Sequence, residues 1–338
     1  MFTAALLLSA CVFFPEPGTW PAETSSSSTL ETWEAPALLL GAYSPRYLGN
    51  SNNVDEQLVE WDAEVSTPLS LGGVFIGVED ANPTHDLPEV YSALWSAGYT
   101  PFVNLASVRS IEELESGGFD AELTEIAQAT AAWLDETPGG FLFFAPLPEM
   151  NGDWENYSFD PVGYRRFFGK LRLLFDDNGV RPDGVKWVFA PNGWSPSGLE
   201  FELFYPGPHL VDAVGFSAYQ WGGCEGDLWQ TPEEAFSPYI RRMALMAPDK
   251  PLFVSQTAST SVLVGGASDE AAKALFLEGS YRLLAEAKQV LGVMYFNIDK
   301  ECDWAVWDEG VLDESYRAAV TAPGIDALTP EGLRAVLP

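Results

Sequence analysis

Within one stretch of fourteen residues, Phe141-Leu-Phe-Phe-Ala-Pro-Leu-Pro-Glu149-Met-Asn-Gly-Asp-Trp154, an apolar run of strand length stops at a carboxylate. An amide, Asn151, a second carboxylate and an indole, Trp154, follow within five residues. A carboxylate at the C-terminal end of a buried strand stands where barrel enzymes keep their chemistry. Glu149 is therefore the leading candidate for a general acid, and Trp154 offers a flat apolar face beside it.

Other strand-length runs end in similar residues. They lead into Tyr43, Ser44 and Arg46; Glu79 and Asp80; Asn104 and Ser107; Asn192 and Trp194; Tyr219, Gln220 and Trp221; Gln256; and, after Phe296, into Asn297, Asp299, Glu301, Asp303 and Trp304. Amides, acids and indoles together suit a polyhydroxylated ring, whose C–H faces meet indoles and whose hydroxyls meet polar groups. The alternative for any one tryptophan is core or rim packing. The set has no histidine base, no basic phosphate clamp and no plausible Ser-His-Asp arrangement. Gly41-Ala-Tyr-Ser-Pro-Arg is not a dinucleotide fingerprint. His85 and His209 lack metal-ligand spacing to each other or to a cysteine. No cofactor and no metal are expected.

The elements that must position these residues are legible in the hydrophobic pattern. Eight apolar runs are expected as strands: Leu38–Tyr43, Gly73–Val78, Pro101–Leu105, Phe141–Ala145, Val185–Ala190, Val211–Tyr219, Pro251–Val254 and Gly292–Phe296. Amphipathic stretches lie between most of them: Val54–Trp61, Ala121–Leu134, Tyr164–Phe175, Glu233–Met246 and Glu270–Val290. The connector after the fifth strand is the weakest, with Leu199–Tyr205 followed by Pro206 and Pro208. Alternating strands and helices predict parallel βαβ units, and eight of them predict an α/β fold, a (β/α)8 TIM barrel in a single domain over residues 36–338. An open doubly wound sheet is the runner-up.

The chain has 338 residues, enough for such a barrel, and a net charge of -32 from 49 acidic and 17 basic residues. That field repels nucleic-acid phosphates and anionic lipid head groups, so no nucleic acid is expected as a partner. Leu8-Ser9-Ala10-Cys11 resembles a bacterial lipobox, with Cys11 as the lipidation site, although no basic segment precedes it. On that reading residues 1–11 are a lipoprotein-type signal peptide, too short to span a bilayer. An apolar N-terminus with an incidental cysteine is the alternative. Residues 12–35, rich in proline, serine and glutamate, read as a flexible tether. The protein is then expected to be exported and to touch a membrane only through its lipid anchor. Cys224 and Cys302 both follow predicted strands; in an exported protein they are a candidate disulfide, the alternative being two separate thiols.

At the level of motifs the chain resembles glycoside hydrolase family 26, best known for β-mannanases, over roughly residues 38–305. The resemblance is carried by Glu149-Met-Asn-Gly-Asp-Trp154, by Trp187-Val-Phe-Ala-Pro-Asn192, by Val211-Asp-Ala-Val-Gly-Phe-Ser-Ala-Tyr219 and by Phe296-Asn-Ile-Asp-Lys-Glu-Cys-Asp-Trp304. It implies a β-glycan partner, polysaccharide or oligosaccharide, with Glu149 as general acid/base. It also implies substrate contacts among Asn151, Trp154, Asn192, Tyr219, Trp221, Phe296 and Trp304. Two departures stand out. Pro148 replaces the usual histidine before the acid/base. On the seventh strand, Lys250-Pro-Leu-Phe-Val-Ser-Gln256 carries an amide where the resemblance implies a nucleophilic glutamate. Retaining hydrolysis needs two carboxyl groups about 5–5.5 Å apart. Three readings stay open: hydrolysis with another carboxylate (Asp299, Glu301, Asp303, Glu79 or Asp80), glycan binding without cleavage, or a barrel that supports a protein contact.

Overall fold

The computed structural model describes residues 32–43, 54–79, 83–224, 228–308 and 310–338. The expected signal peptide, Cys11, most of the tether, Ser44, Arg46 and Asp80 lie outside the described residues. Eight parallel strands close into a barrel in chain order. They are β1 (Leu39–Tyr43), β2 (Leu71–Gly77), β3 (Thr100–Ala106), β4 (Leu142–Pro146), β5 (Val185–Phe189), β6 (Ala213–Ser217), β7 (Leu252–Thr257) and β8 (Val290–Phe296). Closure is complete along the seam, where Leu39–Tyr43 pairs in parallel with Gly292–Phe296. All eight expected strands are present, with boundaries displaced by a few residues.

The surrounding helices are α1 (Val54–Asp62), α2 (Pro83–Ala97), α3 (Ile111–Glu115), α4 (Asp120–Glu136), α5 (Pro161–Asp177), α6 (Pro232–Met246) and α7 (Glu270–Glu286). A short hairpin, β9 (Trp307–Asp308) with β10 (Val311–Leu312), and the helices α8 (Glu314–Ala319) and α9 (Pro330–Val336) complete the chain. Their ends follow from local chemistry. In α6, Thr231 and Glu234 form a reciprocal capping box, with Pro232 in the first turn. In α5, Asp160 caps Gly163 N–H, and Tyr164, Phe167, Phe168, Leu171 and Phe175 form the buried face at helical spacing. The fifth connector holds only a 3-10 turn, Phe201–Phe204, as the two prolines after it require. The pattern taken as helix to Val290 ends at Glu286, because Val290 already begins β8.

Strand residues pointing inward fill the barrel. Phe102, Phe143 and Phe253 meet with ring centroids 4.9–5.8 Å apart. Gly73 makes room for the Tyr43 ring, since a Cβ there would lie 2.2 Å from it. The Tyr43 hydroxyl donates to Ser255 O at 3.0 Å and accepts from Asn104 Nδ2 at 2.7 Å, which ties β1, β3 and β7 beneath the C-terminal face. At the opposite face, Trp33 N–H donates to Pro248 O and Ala35 N–H to Lys288 O. The folded unit thus begins at Thr32, a few residues inside the expected tether.

Candidate functional site

Glu149 is presented by a kink just past β4. Leu147 and Glu149 both adopt left-handed backbone conformations, with φ of 49° and 59°. That geometry costs a non-glycine residue roughly 1–2 kcal/mol and persists only where the surroundings enforce it. Here they do: Leu147 N–H donates to Leu105 O on β3 at 2.7 Å, and Glu149 N–H donates to Ala190 O after β5 at 2.9 Å. The kink turns the Glu149 side chain toward the ends of β5 and β6. Its Oε1 accepts from Asn192 Nδ2 at 3.1 Å and from the Ser217 hydroxyl, and its Oε2 accepts from Trp154 Nε1 at 3.1 Å.

Burial raises the Glu149 pKa above the ordinary carboxylate value, and this outweighs the three donors and the Lys300 charge, which act in the opposite direction. The group is thus biased toward the protonated form, as a general acid requires.

Gln256 lies one strand further on. It pairs in register with Ser217, the residue whose hydroxyl meets Glu149, and its Oε1 accepts from the Tyr219 hydroxyl at 3.0 Å. Glu149, Ser217 and Gln256 therefore form a continuous row across β4, β6 and β7, with Asn192 entering from β5. The row has a buried carboxyl group at one end and a neutral amide at the other.

The carboxylates considered as substitutes are mostly engaged elsewhere. Asp303 accepts from Ser261 N–H, the Ser261 hydroxyl and the Thr260 hydroxyl; these bonds and Lys273 hold its pKa low despite desolvation. Asp299 accepts from Ala305 N–H, Glu301 pairs with Lys300 at 2.9 Å, and Glu79 accepts from the Ser107 hydroxyl beside Arg109.

Two aromatic walls flank the row. Trp154 and Trp194 are 46% and 54% exposed and stack with centroids 6.2 Å apart and planes 17° apart, a free apolar platform. Opposite, Tyr219 contacts Trp221, Phe296 and Trp304 at 5.4–6.0 Å. Trp304 and Phe296 are buried within that cluster, so Trp304 backs the wall and Trp221 and Tyr219, half-buried, form its face. Asn151 differs from its expected role as a ligand contact. It is fully buried; its Nδ2 donates to Asn192 O, Trp194 O and Ser195 Oγ, and its Oδ1 accepts from Asn192 N–H. It braces the loop that carries Asn192 and Trp194.

The rim after β6 is joined to the rim after β8 by a disulfide between Cys224 and Cys302, with Cα atoms 5.9 Å apart. Buried Lys273 donates to Asp303 O and Ala305 O and secures the same segment from α7. Among the described residues, no cluster of three or more His, Cys, Asp or Glu side chains could hold a metal ion.

Two residues of the site have no place among the sequence-derived candidates. Ser217 reads as a small spacer in an apolar strand, and only its position as the last residue of β6 marks it. Glu155 is half-buried just past the Glu149 motif, and burial together with the Glu149 charge raises its pKa. Its signal was available as an acid beside Trp154.

Comparison with known proteins agrees with this geometry. The profile of Glycosyl hydrolase family 26 matches residues 69–229, a span from just before β2 to the loop beyond β6 that includes Glu149. Endoglucanase H of Acetivibrio thermocellus is 28% identical over 224 residues, covering 62% of this chain and 23% of that protein. A mannan endo-1,4-β-mannosidase of Bacillus subtilis is 25% identical over 200 residues, covering 56% of this chain and 51% of that protein. The alignments thus span about half or less of the length of these relatives. Among solved structures, a modular endo-β-1,4-mannanase from Cellulomonas fimi superposes with a TM-score of 0.67 at 16% identity, covering 88% of this chain and 74% of that one. The catalytic domain of an endo-β-1,4-mannanase from a Bacillus species gives 0.68 at 13% identity, covering 88% and 89%. At these identities the structural likeness speaks to the fold.

Proposed function

We propose that the chain is a member of glycosyl hydrolase family 26, whose profile matches residues 69–229, and that it binds a β-linked glycan along the row Glu149–Ser217–Gln256, with hydrolysis through a covalent glycosyl-enzyme lost or strongly impaired. The observation that carries the second part is Gln256. Its amide oxygen is neutral, a poor nucleophile, and already accepts from Tyr219. It carries no charge to stabilise an oxocarbenium ion, and retaining hydrolysis needs a second carboxylate close to the acid. Glutamine is nearly isosteric with glutamate, so the cleft keeps its shape while the chemistry changes.

Glu149 retains the donor role. In its protonated form it gives a hydrogen bond to a glycosidic or hydroxyl oxygen of the bound glycan. Trp154 and Trp194 offer their faces to one ring, and Tyr219 and Trp221 to another. Mannan is the first candidate because of the mannosidase relatives, and the endoglucanase relative makes mixed-linkage glucans the second. Export is part of the same proposal. It is supported by the Cys224–Cys302 bond, which suits an oxidising compartment, and by the lipobox-like Cys11.

The test is a binding and reducing-sugar screen across β-mannan, xylan and mixed-linkage glucan with wild type, Glu149→Ala and Gln256→Ala. Binding without release of reducing ends supports the proposal. Robust wild-type hydrolysis that survives Gln256→Ala refutes the loss of chemistry, and absence of binding to every glycan refutes the cleft assignment.

A further inference from the structure

Strand β7 carries one residue more than either of its neighbours. Against β6, Phe216 pairs with Val254 and Ser217 with Gln256, so Ser255 has no partner in register. Against β8, Val293 pairs with Val254 and Tyr295 with Thr257, which again leaves β7 one residue in surplus. A bulge of this kind re-aims the side chains that follow it. Here the effect is a change of face. The Phe253 ring meets Phe102 and Phe143 inside the barrel, so strict alternation would turn Ser255 inward and Gln256 outward to the helices. Gln256 instead pairs with Ser217 and meets the Tyr219 hydroxyl, on the cleft side. Gly215 leaves room for the surplus residue, since a Cβ there would lie 3.2 Å from Ser255 Cβ. The Ser255 side chain does not hold the bulge: its hydroxyl is buried and, among the described residues, has no hydrogen-bond partner. Its carbonyl oxygen accepts from the Tyr43 hydroxyl at 3.0 Å, from β1, two strands away. That hydroxyl has one proton to give. Asn104 Nδ2 donates to the same oxygen at 2.7 Å, so the proton is directed to Ser255 O.

We propose that Tyr43 is a positioning residue for position 256, with Asn104 orienting its hydroxyl: by holding the carbonyl of the surplus residue, it fixes the bulge that turns side chain 256 into the cleft. The inference rests on the reading of Gln256 as the end of the glycan row. Tyr43 and Asn104 are fully buried beneath that row, so both act through the backbone of β7 and neither touches the glycan. Loss of the bulge would swing the Gln256 amide to the outer side of the strand and leave the Tyr219 hydroxyl without its acceptor. Because the hydroxyl grips a main-chain carbonyl, it positions any side chain at 256, the amide present here or a carboxylate introduced by substitution.

The test has one arm without ligand and one with it. In the first, the full chain is labelled with 15N at glutamine side chains, and Gln256→Met identifies the Gln256 amide signal. Tyr43→Phe keeps the ring and removes the hydroxyl. It is expected to shift the Gln256 amide signal while that of Gln289 stays in place, since Gln289 is held by Ala247 O and Lys250 O at the opposite end of β7. A general loosening of the barrel would move both. An unchanged Gln256 signal overturns the proposal. Asn104→Leu leaves Tyr43 whole but removes the donor that orients it; it is expected to shift the same signal and decides the matter where Tyr43→Phe does not fold. In the second arm, Tyr43→Phe is expected to weaken binding of β-mannan about fivefold in the wild-type background and to have no further effect in Gln256→Ala. An equal loss in both backgrounds also overturns the proposal, because Tyr43 would then act other than through position 256. A wild type that binds no β-mannan overturns the mannan reading of the row and leaves the amide signal to decide the role of Tyr43.

Discussion

Replacing Cys224 and Cys302 together by serine tests both the covalent link across the rim and what it does for the cleft. The two cysteines are 78 residues apart in sequence. Closing a loop of that length in the unfolded chain removes about 15 cal/mol/K of entropy, which is worth about 4.5 kcal/mol at room temperature as an upper bound. For a folded unit of this size the unfolding entropy is roughly 0.6 kcal/mol/K, so the full effect corresponds to a fall of about 7 °C in Tm. The expected result is a fall of about 4–7 °C by calorimetry. The native fold should survive, because Asp303 still holds Thr260 and Ser261, and Lys273 still holds the backbone at Asp303 and Ala305. Glycan affinity should drop as well, since the bond ties the segment with Trp221 to the segment with Lys300 and Trp304. A Tm within about 1 °C of wild type would refute the reasoning, as would two reactive thiols at Cys224 and Cys302 in unreduced wild type.

Other perturbations address the site and the core. Gln256→Glu should bring retaining hydrolysis of a β-glycan into view, read by proton NMR of the first anomer released, and should make Glu149 titrate higher than in wild type, because a like charge is restored beside it. Trp194→Ala should weaken glycan binding about tenfold by calorimetric titration, since it removes half of the exposed stacked pair while leaving Glu149 and its donors intact. Asp62 accepts from Leu69 N–H and the Tyr99 hydroxyl, yet desolvation dominates and raises its pKa from 3.8 to about 6. A carboxyl raised on folding contributes stability that is fully present below its unfolded pKa and is lost as pH rises through the folded value. Discounted for partial exposure, this amounts to about 1–2 kcal/mol lost between roughly pH 4 and 7. Urea midpoints of wild type and Asp62→Asn at pH 5 and 7.5, both above the pI of about 4.1, should show the step in wild type only.

The barrel was legible because its signals are local and repeated. Each strand is a short apolar run ended by a polar residue, and burial on both faces makes such runs nearly continuous. No helix was expected over Pro83–Ala97, which begins at Pro83, where the first turn tolerates proline, and carries Pro88 inside it. The C-terminal helices lie beyond the eight units, where the count no longer asks for anything. Within the site, Glu149, Asn192, Tyr219 and Gln256 stand out as polar residues at strand ends. Burial is what sequence could not supply: Asn151 and Trp304 look like ligand contacts in the motif, yet both are covered. Ser217 and Glu155 show the converse. Their importance depends on a kink at Leu147–Glu149 that turns one side chain across two strands, and backbone dihedrals of that kind leave no mark in composition.

The hydrogen bond from Trp154 to Glu149 makes the platform and the acid parts of one thermodynamic cycle. A ring stacked on the indole and a proton on the carboxyl act on the same bond, so they are linked ligands. If the ring alters that bond, the free energy by which it favours the proton equals the free energy by which the proton favours the ring. Proton uptake or release on glycan binding, read from calorimetry in buffers of different ionisation enthalpy, then measures how strongly recognition is wired to acidity, whether or not any bond is ever cut.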